Sequence, residues 1–214
     1  MTLSEVEQQL GIKLPKKWHE INDMGAMEWM ELDPSQYSKK EFHQIMQKYY
    51  SKPGQFMMID GDIEPIMYAD YKAEINYLNE LIGDQCSEMS IKLKDGIKLL
   101  PFATTGGGDF FCFIYTDDIE QAKIGQYYHD DFDTPEIIAE SFEEFLYYAV
   151  LDAAGWALND GESDDYIDSS EFKFHIDLLT DEFKAKIGDK NFDELVTDFE
   201  ALTRRLADIW DKVQ

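Results

Sequence analysis

Three groups of residues have a composition suited to chemistry. The first is the glycine-rich stretch Thr104-Thr105-Gly106-Gly107-Gly108-Asp109. A phosphate-cradling P-loop needs Lys-Ser/Thr after its last glycine, and a dinucleotide fingerprint needs G-x-G-x-x-G opening a helix. Here Asp109 and an apolar run follow, and a carboxylate would repel phosphate. The stretch therefore reads as a turn between two strands, with glycine supplying positive φ. The second group is His129-Asp130-Asp131-Phe132-Asp133, an imidazole beside three carboxylates. Such a set suits a hard cation or a transition metal. It lacks the glycine and distal glutamate of an EF-hand loop, and His19, His43 and His175 form no HExxH pattern. A solvated acidic loop is the preferred reading. The third group is Cys86 and Cys112, with no CxxC spacing. Cys112 lies within Phe110-Phe111-Cys112-Phe113-Ile114-Tyr115, where a buried, inert thiol is expected. No serine has the G-x-S-x-G setting, and paired carboxylates can be chosen almost anywhere in so acidic a chain. Nothing here supports an enzyme, a metal or a cofactor.

The charge is more informative. The 214 residues include 45 acidic and 19 basic side chains, for a net charge of -26. That field repels nucleic-acid backbones and anionic membranes and favours a cationic protein partner. From Asp130 to Glu171 there are fourteen carboxylates, and no lysine or arginine lies between Lys123 and Lys173. Such a concentration steers a cationic partner and raises its on-rate by roughly 10 to 1,000-fold at low salt. A solvated face with an acidic connector is the alternative. The N-terminal segment MTLSEVEQQL shows no signal-peptide pattern, and no apolar run approaches the length of a membrane helix. A cytoplasmic location is expected.

Elements able to position these residues follow from periodicity. Ser4 with Glu7 suggests a capping box for a first helix carrying Val6 and Leu10, stopped by Gly11. Leu14-Pro15 restarts the chain into a helix with Trp18 and Ile21 on its buried stripe. Ser38 caps a segment with Phe42, Ile45, Met46, Tyr49 and Tyr50 at helical spacing. Pro53-Gly54 ends it, and Phe56 to Ile59 is a short strand candidate. Tyr71, Ile75, Leu78 and Ile82 predict another helix, closed by Gly83. Ile97 to Phe102, Phe110 to Tyr115 and Ile124 to His129 read as three strands. Their joints are too short for parallel crossovers, and the second strand is apolar on both faces, as in a central strand covered on both sides. Ser141 with Glu144 caps a helix whose core face is Phe142, Phe145, Leu146, Ala149 and Val150. Asn159 to Ser170 is a polar, acidic connector. Phe192, Leu195, Val196, Phe199, Leu202, Leu206, Ile209 and Trp210 predict a long terminal helix. Trp18, Trp29, Trp156 and Trp210 are read as core anchors.

The expected architecture is α+β, a single mostly antiparallel or mixed sheet flanked by helices, with a C-terminal helical extension. Residues 1–158 would form the α+β domain. Residues 159–214 would form an acidic connector and a helical tail docked on it.

The order of these pieces resembles the SUKH superfamily. The carrying residues are Leu10-Gly11-Ile12, Leu14-Pro15-Lys16-Lys17-Trp18, Leu100-Pro101-Phe102, and the Gly106-Gly107-Gly108-Asp109 turn with its following strand. Ile124-Gly125-Gln126-Tyr127-Tyr128-His129-Asp130-Asp131 and Ala139-Glu140-Ser141-Phe142-Glu143-Glu144-Phe145-Leu146 complete the match across residues 3–151. The segment 26–95 is longer than the family pattern, and the last 55 or so residues fall outside it. The resemblance implies an α+β fold, no catalysis, and an immunity protein that binds and blocks a cognate toxin, often a nuclease or other basic enzyme. Combined with the charge, it puts the partner-binding surface at Asp109, Asp117, Asp118, His129, Asp130, Asp131, Asp133 and Glu136. Fungal relatives resemble signalling scaffolds, so a protein-interaction scaffold docking through the Phe192–Trp210 helix is the alternative. A metal-dependent hydrolase using the His129 cluster is a third reading.

Overall fold

A computed structural model of the chain describes residues 1–56, 63–89, 91–116, 121–129, 136–160, 168–188, 194–195, 197, 205–206 and 210–212. Its centre is the six-residue strand the sequence marks as apolar throughout. Phe110–Tyr115 (β4) is buried at every position. It pairs antiparallel with Lys98–Thr105 (β3) on one side and Ala122–Tyr127 (β5) on the other. Ile63–Pro65 (β1) adds to β3, and Glu136–Ala139 (β6) adds to β5. Arg205–Leu206 (β7) pairs with β6, giving the order β1-β3-β4-β5-β6-β7 with every pairing antiparallel. Ile91–Leu93 (β2) and Trp210–Lys212 (β8) form a separate antiparallel pair. The α+β class stands.

Helices cover both faces of the sheet, which explains why β4 does not alternate. Phe111 and Phe113 of β4 point toward Phe142–Asp160 (α5), where Phe145 lies 5.8 Å from Phe111 and Phe142 lies 5.7 Å from Phe113. Phe110, one residue out of phase, meets Tyr77 of Tyr71–Met89 (α4) on the opposite face. Tyr127, the cross-strand partner of Phe110, reaches the same helix, its hydroxyl 2.6 Å from Gln85 Oε1. Burial pushes that phenol up to about 12. Cys112 is buried beside them, and burial holds its thiol well above the ordinary range, so it is inert as expected.

A β-bulge shapes the side facing α5. Pro101 pairs with Cys112 and Ala103 with Phe111, leaving Phe102 as the extra residue. β3 is an interior strand, where proline is tolerated at a bulge and little else. The bulge sends Phe102 onto Phe113, the rings stacked at 4.4 Å. Lys16–Asp23 (α2) caps this cluster. Its Trp18 is fully buried and meets Phe56, Phe102, Phe113 and Phe142 at ring separations of 5.1–6.1 Å. Each such pair contributes about 0.5–1.5 kcal/mol beyond its area. Trp29 is buried as well, its indole N–H donating to the Phe56 carbonyl at 3.1 Å. Trp156 is not: it is 65% exposed on α5, against the anchor reading.

Local signals differ from expectation in several places. Leu3–Leu10 (α1) begins two residues earlier than the Ser4–Glu7 pattern suggests, because Thr2 and Glu5 form the capping box. Gly11 does end it, at φ +61°. Glu7, released from capping, folds back as a buried carboxylate and accepts from Leu14 N–H at 2.8 Å, His19 Nε2–H at 2.8 Å and Lys13 Nζ at 3.0 Å. Lys39–Tyr50 (α3) has the expected Ser38–Glu41 box, yet only Met46 of its apolar stripe is buried and Tyr50 is 64% exposed. α4 runs through Gly83 to Met89, held by buried Gln85 beyond the expected stop. α5 likewise continues through Asn159 to Asp160, so the expected connector begins later. Of the Phe56–Ile59 strand candidate, Phe56 is buried in irregular backbone and the rest lies outside the described residues.

Beyond α5, Ser170–Leu178 (α6) and Asp181–Gly188 (α7) form a C-terminal helical part. Phe172, Leu178, Leu179, Ile187 and Leu195 belong to the same apolar core as the sheet. The long terminal helix is borne out only at its start, where Glu194, Leu195 and Thr197 are helical; further on, Leu206 lies in β7 and Trp210 in β8. There the open backbone edges of β6 and β2 are partnered, and this outweighs helical periodicity. Phe192, Val196, Phe199, Leu202 and Ile209 lie outside the described residues.

Candidate partner-binding surface

The glycine-rich stretch is a turn, as its residue types imply. Gly108 N–H donates to the Thr105 carbonyl at 3.0 Å, and Thr105 N–H donates to the Asp109 carbonyl at 2.9 Å. Asp109 N–H also donates to Thr105 Oγ1 at 3.1 Å. Gly108 adopts φ +96°, outside the range open to most side chains.

This turn brings together two of the expected site residues that are twenty positions apart. Asp109 Oδ1 accepts from the backbone N–H of His129 at 3.2 Å and from its Nδ1 at 2.9 Å. A carboxylate only accepts, so Nδ1 carries the proton. β4 and β5 make the meeting possible: Phe110 pairs with Tyr127, which carries His129 to the turn two residues past the end of β5. The imidazole is thus engaged by Asp109. The side chains are 19% and 40% exposed, so this is a surface pair of modest strength.

The other site residues divide. Glu136 opens β6, where its backbone pairs with Gln126 on one side and Leu206 on the other. Asp117, Asp118, Asp130, Asp131 and Asp133 lie outside the described residues. Among the described residues no group of three His, Cys, Asp or Glu side chains is placed to hold a metal ion. The acidic interval is partly compensated from its flanks. Lys123 reaches Glu140 at 2.8 Å, and Lys173 reaches Asp168 at 2.9 Å.

Sequence reasoning did not single out Tyr77 of α4. Tyr77 is half exposed and lies against Phe110, the residue after Asp109. Its position off the Tyr71–Leu78–Ile82 stripe was the available signal.

An antiparallel sheet wrapped on both faces by helices, with an acidic turn at one end, defines an α+β domain. The chain belongs to the SMI1 / KNR4 family (SUKH-1), whose family model matches residues 2–147. That match ends inside α5. Membership supports a toxin-immunity role in general, in a family that is broadly non-enzymatic and binds cognate toxin proteins. No curated protein and no solved structure matches the chain. No helix among the described residues is long and apolar enough to cross a membrane.

Proposed function

We propose that this protein is a non-enzymatic cytoplasmic immunity protein that binds a basic, nuclease-type toxin and blocks it through an acidic surface. The family match carries the immunity reading. The net charge of -26 supplies the partner's chemistry, because a nuclease surface built to attract phosphate attracts carboxylates for the same reason. Asp109, pinned by His129, gives that surface one fixed carboxylate. Asp117, Asp118, Asp130, Asp131, Asp133 and Glu136 extend it in our reading. Residues 1–158 would act as the binding domain, with residues 159–214 docked on it.

The direct test is co-expression with the toxin encoded beside this chain, followed by co-purification across a salt series. Rescue with a complex that weakens as salt rises supports the proposal. Rescue without a physical complex rejects blocking, and affinity independent of salt rejects the acidic surface.

A further inference from the structure

We propose that the outward face of α4, anchored by Tyr77, receives an arginine side chain of the cationic partner. This rests on the toxin-binding reading above and adds a surface and a contact chemistry to it. Two observations carry it.

Tyr77 is 50% exposed, yet its ring has a buried neighbour. It sits 6.0 Å from the Phe110 ring at 62°, an edge-on contact with a residue that is itself 1% exposed. A half-exposed aromatic packed on a buried ring offers a large contact area, and tyrosine is enriched among the residues that dominate interfaces. Helical spacing then places Leu81, Asp84 and Glu88 along the face that begins at Tyr77, with Glu80 beside them. Glu80, Asp84 and Glu88 are exposed, and none forms an ion pair among the described residues. From Ala73 to Met89 the helix holds no lysine or arginine.

An aromatic face bordered by carboxylates fits one side chain best. Guanidinium stacks on a ring and pairs with a carboxylate through its planar fork, while an ammonium offers only a point charge. The same carboxylates repel phosphate, so neither a nucleic acid nor an anionic membrane is the occupant.

The experiment measures dissociation constants of the full chain for the toxin encoded beside it. Tyr77→Ala should weaken binding by about tenfold or more, whereas Tyr77→Phe, which keeps the ring face, should stay within about twofold of wild type. Glu80→Gln/Asp84→Asn, on exposed positions that cannot unfold the chain, should weaken binding and flatten its salt dependence. If wild type binds and both Tyr77→Ala and the double variant bind equally well, the α4 face is rejected while the immunity reading survives. Equal losses in Tyr77→Phe and Tyr77→Ala would reject ring stacking in favour of the hydroxyl. A wild-type chain that binds no such toxin would reject the immunity reading itself, and the α4 proposal with it.

Discussion

Trp18 donates its indole N–H to the hydroxyl of Tyr68 at 3.2 Å, joining α2 to a residue fifty positions later in the chain. Tyr68 passes the bond on to Asn22 Oδ1 at 3.3 Å, back on α2. Both aromatic side chains are fully buried. The polar edge of the tryptophan is thereby satisfied inside a core that is otherwise a cluster of phenylalanine rings.

Tyr68→Phe should cost about 1–3 kcal/mol, because it leaves the indole N–H buried without an acceptor. Trp18→Ala should cost about 3–5 kcal/mol through the cavity left among four rings. Urea unfolding of both variants checks the order. A Tyr68→Phe variant as stable as wild type would show that the bond contributes nothing.

The Glu7 clasp predicts a pH dependence. Burial alone would raise its carboxyl, but hydrogen bonds from Leu14 N–H, Lys13 and His19 outweigh that and hold it below the ordinary value. The ionised form is therefore the one folding favours. Its contribution is complete above the ordinary carboxylate value and is lost as pH falls through the lower, folded value. Glu7→Gln should destabilise by about 1–3 kcal/mol at neutral pH. The gap to wild type should close in acid, which unfolding midpoints at the two pH values would reveal.

Glycines in the β3–β4 turn should differ in tolerance. Gly108→Ala forces a side chain onto φ +96° and should cost about 1–2 kcal/mol, though its Cβ would meet His129 Nδ1 at an ordinary 3.7 Å. Gly106→Ala meets nothing within 4 Å and carries no such φ, so it should be nearly neutral. Thermal melts of the pair make the comparison, and equal losses would contradict the backbone argument.

Asp109→Asn should separate binding from folding. The surface pair with His129 contributes about 1 kcal/mol or less to stability. Toxin affinity should fall while the unfolding midpoint hardly moves. Calorimetric titration beside a melt measures both.

Much of the fold was legible because local and tertiary preferences agreed. Phe110 to Tyr115 could only be a strand covered twice, and Trp18 with Ile21 could only face inward. The turn before Asp109 followed from its glycines. The failures fall where long-range contacts decided. Gln85, buried beneath Tyr127, carries α4 past Gly83, and no local pattern announces that bond. Leu206 and Trp210 fit a helical stripe but lie in strands, because the backbone edges of β6 and β2 are partnered there. The candidate site was half legible: charge flagged Asp109 and His129, while their pairing depended on the register between β4 and β5. Tyr77 was overlooked because one aromatic outside the stripe looks like ordinary surface until Phe110 is seen beneath it.

Pro101 has a consequence for how the sheet finds its alignment. It has no amide hydrogen to give, and it sits at the one irregular step between β3 and β4. If β3 slid by a single notch, that donorless residue would occupy a regular rung, and Phe102 beside it would swing to the wrong side. The imino acid thus serves as an index mark, admitting one alignment of the ladder and spoiling its nearest competitors.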